Sequence, residues 1–251
     1  MGMFEGIIEK ATFEDVMRAA HALVLESRVM IDDKGWHIKA IDPANVAMVV
    51  VDVSPEAFIK YELKLEEGGE KEKKGMEIGI SIDKMVEILR SVGRNEEMWL
   101  AISDTLLMKF GNFTFSMNLY DPSTITEAKK TPEIEFTSEI IMDGEVFRRA
   151  IEAAKRISEY VTLSVKDAAF TVKAEGESMN MEMNLREDEL YDFEAGDARS
   201  TYSLTYLTSI ARVFANTEII IKLGNDVPVE ISGKIAEGNV AVAYLLAPTI
   251  M

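Results

Sequence analysis

The chain of 251 residues contains no cysteine, which excludes disulfides, thiolate metal ligands and cysteine nucleophiles, and fits a reducing, cytoplasmic compartment. It has only two histidines, His21 and His37, and neither has a second ligand at a metal-binding spacing. No Walker loop, GxGxxG turn, GxSxG elbow or HExxH helix occurs, so the common linear signatures of nucleotide, acyl-transfer and metalloprotease chemistry are missing. No apolar run approaches the roughly 20 residues that span a bilayer, and the opening MGMFEGIIEKATFED is acidic rather than a signal peptide. The Met-Gly start also fails as an acylation signal, because position six is Gly6. Positive charge is scarce: 27 Lys and Arg face 44 Asp and Glu, a net charge of −17, which argues against tight phosphate binding over the whole surface. The acidic groups Asp32-Asp33 and Glu187-Asp188-Glu189 lie in apparent turns and read as solvated charge.

What the chain does contain is a copy of itself. At an offset of 134 residues, Phe13 falls on Phe147, Ile7 on Ile141, Ala19-Ala20 on Ala153-Ala154, and Lys39-Ala40 on Lys173-Ala174. Later the offset becomes 122, with Ile82–Met85 over Leu204–Leu207 and Arg90 over Arg212. Repeats of this length carry a core each and predict two similar domains in tandem.

Each half predicts strand, helix, several strands, helix and more strands, an α+β arrangement with hairpin-connected antiparallel sheet. The helices are expected at 13–23, 82–94, 147–158 and 204–214. The first carries the apolar stripe Phe13, Val16, Met17, Ala20 and Leu23, the third Phe147, Ala150, Ile151, Ala154 and Ile157. Thr12 and Asp143 stand where N-caps belong. The tract Glu66–Gly75 has no apolar residue and reads as a solvated hairpin loop. The polar stretch 121–132, bounded by Pro122 and Pro132, reads as a linker between domains 1–120 and 133–251. Its one apolar residue, Ile125, points to something docking there.

Charge is unevenly shared. The four helical segments hold nine basic residues against five acidic ones, and the remainder of the chain holds 18 against 39. Basic helices on an acidic body predict one-sided electrostatics. Two strands alternate strictly, Phe113, Phe115 and Met117 in one and Met179, Met181 and Met183 in the other, so each has one apolar and one wet face. At a sheet edge either would be open to another subunit.

Several segments together resemble the DNA sliding clamps of the proliferating cell nuclear antigen (PCNA) type, in their archaeal form. They are Met3–Glu5, the run from Asp33 to Val46 overlapping AIDPANVA at Ala40–Ala47, LYDP at Leu119–Pro122, GNDVP at Gly224–Pro228, and YLLAPTI at Tyr244–Ile250. The resemblance covers essentially the whole chain, and its order and spacing carry it.

The resemblance implies a clamp fold of two similar domains, with antiparallel outer sheets and inner helices. Three identical subunits would close into a homotrimeric ring around duplex DNA and tether the polymerase as a processivity factor, in replication and repair. It implies no catalytic residue, metal or cofactor and no membrane association; the protein is expected in the cytoplasm with the nucleoid. By position, Arg90, Arg149 and Arg212 would face DNA, joined from the helical wheel by Arg18 and Lys155, while Glu87 stands where relatives carry a basic residue. The PCNA-interacting peptides of DNA polymerase, clamp loader, flap endonuclease and DNA ligase would dock on Ile41, Asn45, Val46, Met48, Ile125, Pro228, Leu246 and Pro248. Subunit contacts would run from the 110–118 strand, with Phe113 and Phe115, to the 177–184 strand, with Met179, Met181 and Met183. The alternatives are a subunit of a heterotrimeric or checkpoint-type clamp, and a carboxylate-based α+β enzyme or small-molecule binder.

Overall fold

A computed structural model describes residues 2–65, 75–93, 96–128 and 130–249. The tract 66–74, Arg94, Lys129 and Ile250, which bear on the loop, helix, linker and closing-segment expectations above, lie outside the described residues. The chain forms two compact units that are not contiguous in sequence. One gathers the residues up to Pro43, Val49–Ala128 and Ala236–Ala241; the other gathers Ala44–Met48, the stretch up to Ile235 and the chain from Val242.

The first unit runs β1 (Met3–Glu9), α1 (Lys10–His21), β2 (Glu26–Asp32), β3 (Gly35–Ile41), β4 (Ala47–Val53, from Val49 on), β5 (Phe58–Lys64), β6 (Gly75–Ser81), α2 (Ile82–Arg90), β7 (Glu97–Ile102), β8 (Thr105–Phe110) and β9 (Phe113–Asn118). The order β5-β1-β7-β8-β9 makes one antiparallel sheet, and β2 pairs antiparallel with β3 on one side and β6 on the other. Its core is aromatic. Trp36 receives Phe4 at 5.2 Å and Phe13 at 5.6 Å, both edge-on, a geometry that adds to the burial of each ring.

The second unit runs β10 (Ser138–Asp143), α3 (Gly144–Lys155), β11 (Tyr160–Lys166), β12 (Ala169–Glu175), β13 (Asn180–Arg186), β14 (Asp192–Glu194), β15 (Ala198–Ser203), α4 (Leu204–Val213), β16 (Glu218–Leu223), β17 (Val229–Ile235) and β18 (Val240–Leu246, from Val242 on). One sheet has the order β13-β12-β11-β15, and β16 stands between β10 and β17. The core here is mostly aliphatic, with Phe147, Phe170 and Phe214 fully buried.

The repeat survives down to single hydrogen bonds. In the first turn of each helix an amide bonds a carbonyl elsewhere in its unit: Lys10 N to Glu96 O at 2.9 Å, Gly144 N to Thr217 O at 2.9 Å, Asp83 N, the second residue of α2, to Leu25 O at 3.1 Å and Leu204 N to Glu159 O at 2.9 Å. These carbonyls satisfy donors that a helix leaves orphaned at its start. They also explain why α1 and α3 begin three residues before the expected positions: the carbonyl seat, not the apolar stripe, sets the first turn. Thr12 is therefore inside α1 rather than capping it, and Glu9 precedes the helix without a side-chain cap. Asp143 does cap α3, accepting from the amides of Glu145 at 2.7 Å and Val146 at 3.4 Å. Both expected stripes face the cores, with Leu23 and Ile157 half-buried at their ends.

Two charged residues join the apolar stripe of α1. Lys10 and Glu14 are fully buried, with Lys10 Nζ 3.1 Å from Glu14 Oε2 and 2.9 Å from the carbonyl of Val92. The linker is also more ordered than its composition suggests. Asp121 caps a short 3-10 turn at Pro122–Thr124, and Ile125 is buried within the first unit.

Candidate functional site

Three surfaces carry the chemistry. The first is the exposed face of each helix pair. In the first unit α1 packs on α2, and His21 Nε2 meets Asp83 Oδ1 at 3.0 Å between them. In the second unit α3 packs on α4, and Lys155 Nζ bonds Thr205 Oγ1 at 3.3 Å. Arg90, Arg149, Lys155 and Arg212 are all exposed on these faces. Arg18 is more constrained, because its guanidinium pairs with the Glu14 carboxylate already engaged by Lys10.

The second unit's helices form a charge ladder at the surface. Arg148 reaches Glu145 at 2.6 Å and Glu152 at 2.7 Å, and Arg212 reaches Glu152 at 3.5 Å. Hydrogen bonds from Arg148 hold the Glu145 and Glu152 carboxyls below their ordinary range, so both stay ionised and neutralise part of the basic surface. Arg149 and Lys155 remain outside that ladder.

The second surface is a pair of open strand edges. β9 ends one sheet and β13 ends another. Phe113 is 55% exposed and stacks on Phe115, which stacks in turn on Phe110 at 5.3 Å. Along β13, Met181 and Met183 are half-buried on one face while Asn180, Glu182 and Asn184 face water. Met179, 62% exposed, lies just before the strand, and Phe110 belongs to β8. Unpaired edges with apolar side chains are templates for another strand.

The third surface gathers loops of the second unit. The amide of Ala247 bonds the carbonyl of Val46 at 2.8 Å, which draws 44–48 beside the end of β18. Asn45 holds a left-handed turn with φ 58° and is exposed, and Val46 is 37% exposed. Pro228 and Pro248, both half-buried, flank β15: Tyr202 OH bonds Val227 O at 2.9 Å, and Thr249 N bonds Thr201 O at 2.7 Å. Met48 is buried beside Thr131, and Leu246 is 1% exposed, so these two serve the core of the unit. The remaining two of the eight expected pocket residues, Ile41 and Ile125, belong to the first unit.

Among the described residues no group of three or more His, Asp or Glu is placed to hold a metal ion. His37 lies between Asp52 at 2.7 Å and Asp32 at 3.2 Å, a constellation that the spacing 32, 37, 52 does not reveal until the hairpins are paired. The Lys10–Glu14–Arg18 ladder was visible as an i, i+4, i+8 pattern, though nothing in that spacing signals burial.

Residues 3–121 match the family described as "Proliferating cell nuclear antigen, N-terminal domain". Over 99% of both chains, the sequence is 34% identical to the DNA polymerase sliding clamp of Archaeoglobus fulgidus and 33% identical to that of Methanococcoides burtonii. Among solved structures, A. fulgidus PCNA bound to the C-terminal region of FEN-1 superposes with a TM-score of 0.91 at 33% identity, covering 99% of each chain. Thermococcus kodakaraensis PCNA shares the fold with a TM-score of 0.86 at 23% identity, covering 98% of this chain and 100% of that one.

Proposed function

This chain belongs to the family of PCNA-type DNA polymerase sliding clamps, and from that membership we propose that it assembles as a homotrimer into a ring around duplex DNA. It is a processivity factor, tethering the replicative polymerase and repair enzymes to their template. The single observation that carries the reading is agreement with such clamps over the whole chain, repeat and helix pairs included.

The chemistry of the three surfaces supports this reading. A threaded ring is retained by topology, so it needs no tight phosphate contacts; a thin basic lining keeps sliding barriers low while an acidic exterior repels stray DNA. We assign Arg18, Arg90, Arg149, Lys155 and Arg212 to that lining. The open edges β9 and β13, with Phe113, Phe115, Met179, Met181 and Met183, would pair head to tail between subunits, the heterologous contact that a closed ring requires. Partner peptides of polymerase, clamp loader, flap endonuclease and ligase would dock on Asn45, Val46, Pro228 and Pro248. Met48 and Leu246 would support that surface from within, and the resemblance adds Ile41 and Ile125. The clamp itself catalyses nothing; an ATP-driven loader would open it. Among the described residues no helix is long and apolar enough to cross a membrane, and we place the protein in the cytoplasm with the nucleoid.

Light scattering over a concentration series tests the assembly. A mass near three times 28.0 kDa that persists on dilution is expected. A stable monomer would contradict the homotrimer and favour a subunit of a mixed ring.

A further inference from the structure

Arg28 occupies a position in β2 directly opposite Gly79 in β6. Its Nε donates to the carbonyl of Ile125 at 2.9 Å, and its side chain is largely buried. Glu77 on β6 and Glu127 on the linker flank the guanidinium at 3.6 Å and 3.9 Å, at the outer limit of ion pairing. Gly79 meets the same linker on the adjacent strand. Its carbonyl accepts from Tyr120 N at 2.8 Å, and a Cβ built on it would stand 2.8 Å from Ile125 Cδ1 and 2.8 Å from Tyr120 O. The glycine is what lets Ile125 settle to 6% exposure against β6. Ile125, the one large apolar residue of the linker, thus packs against its own unit.

We propose that Arg28 and Gly79 form a latch that holds Tyr120–Glu127 against the first unit, and that Arg28 is thereby a positioning residue for partner peptides. This rests on the peptide-docking reading above. The physical logic is preorganisation. A charge-assisted bond to a main-chain carbonyl fixes the backbone of a segment whose strand pairing, among the described residues, is one bridge at Gly79–Tyr120. A segment held in one conformation spares a bound peptide the entropy of ordering it. If the latch opens, only the closed fraction binds, and apparent affinity falls in proportion.

The test uses the full-length assembled protein as wild type, Arg28→Ala, Arg28→Lys and Gly79→Ala. Two readouts are taken: hydrogen exchange of fragments covering 118–128, and calorimetric titration with a peptide from the C-terminal region of FEN-1. Arg28→Ala is expected to accelerate exchange in that segment alone and to weaken the peptide about fivefold, as for a segment closed about one-fifth of the time. Arg28→Lys, which keeps one donor, should recover part of both. Gly79→Ala pushes on Ile125 without touching the guanidinium and should act in the same direction, so the idea stays testable if Arg28→Ala folds poorly. Unchanged exchange overturns the latch. Faster exchange with unchanged affinity overturns the positioning role. If wild type itself ignores the peptide, the docking reading fails and the positioning role with it, while the exchange data still decide the latch.

Discussion

Lys10, Glu14 and Arg18 of the first unit stand where the repeat puts Gly144, Arg148 and Glu152 of the second. In α1 the ladder turns inward: Lys10 and Glu14 are buried, and Lys10 bonds the carbonyl of Val92. The carbonyl of Phe214, the repeat's counterpart of Val92, occupies the space that a Cβ on Gly144 would need, so that position accepts no side chain. The α3 ladder therefore runs over the surface, from Glu145 through Arg148 and Glu152 to Arg212. The duplication has kept the backbone contacts that start each helix and has let the electrostatics diverge.

The divergence reaches the proposed DNA surface. Basic and acidic residues balance within α1 and within α2, with His21 aside. The helices of the second unit carry Arg148, Arg149, Lys155 and Arg212 against Glu145 and Glu152. The basic surplus of the helices thus belongs mainly to the second unit.

The buried pair gives the largest expected effect. Glu14→Ala strands the Lys10 ammonium in the core and should cost about 3–5 kcal/mol, seen as a lowered midpoint in denaturant or on heating. Arg148→Ala, at the equivalent surface position, should shift the midpoint far less. Equal losses would show that the inward and outward ladders are energetically alike. Replacing both partners, as in Lys10→Met with Glu14→Leu, should recover much of the loss, because no unpaired charge then remains.

Next come the arginines. Arg149→Glu with Arg212→Glu should shorten primer-extension products and weaken DNA binding more than Arg18→Glu with Arg90→Glu. Removing one arginine–phosphate interaction should lower the slope of log affinity against log salt by about 0.9. Arg18 contributes least because Glu14 already holds it. A greater loss from the first-unit pair would reverse the assignment of the surplus.

The smallest effect concerns pH. His37 bonds Asp52 and Asp32, whereas its counterpart Thr171 bonds Asn184 at 2.6 Å and carries no charge. Burial opposes the imidazolium, but the two carboxylates outweigh it and raise the His37 pKa above its ordinary value. A raised folded pKa means stabilisation that is complete below the unfolded value of about 6.5 and lost as pH rises through the folded value. His37→Gln should therefore destabilise by less than about 1 kcal/mol at pH 5.5 and by almost nothing at pH 9. Thermal midpoints at the two pH values check this, and a loss independent of pH would assign His37 a packing role instead.

Much of this architecture was legible from residue spacing. The 134-residue offset survives as matched hydrogen bonds, the stripes of α1 and α3 face the cores, and Asp143 caps its helix. Three features were not legible, each for a physical reason. Helix starts are set by carbonyls distant in sequence, so Thr12, a good cap by type, ends up inside α1. Burial of Lys10 and Glu14 depends on mutual neutralisation in three dimensions, which an apolar stripe cannot register. Ile125 reads as an exposed apolar residue awaiting a partner, yet the missing side chain of Gly79, 46 positions earlier, is what receives it. The basic helices and alternating strands pointed to surfaces on which Arg90, Arg149, Lys155, Arg212, Phe113 and Met179 are exposed while Arg18, Phe115, Met181 and Met183 are half-buried; which of them touch DNA or a second subunit depends on assembly.

Retention on DNA tests the central claim most directly. The protein would be loaded with its ATP-driven loader onto nicked circular duplex, freed of loader and nucleotide, and followed after the circle is cut once. A ring held by topology stays on the closed circle through a high-salt wash and is lost within the same wash once the ends are free. Equal loss from circular and linear DNA in high salt, or equal retention on both, would contradict a ring held by topology.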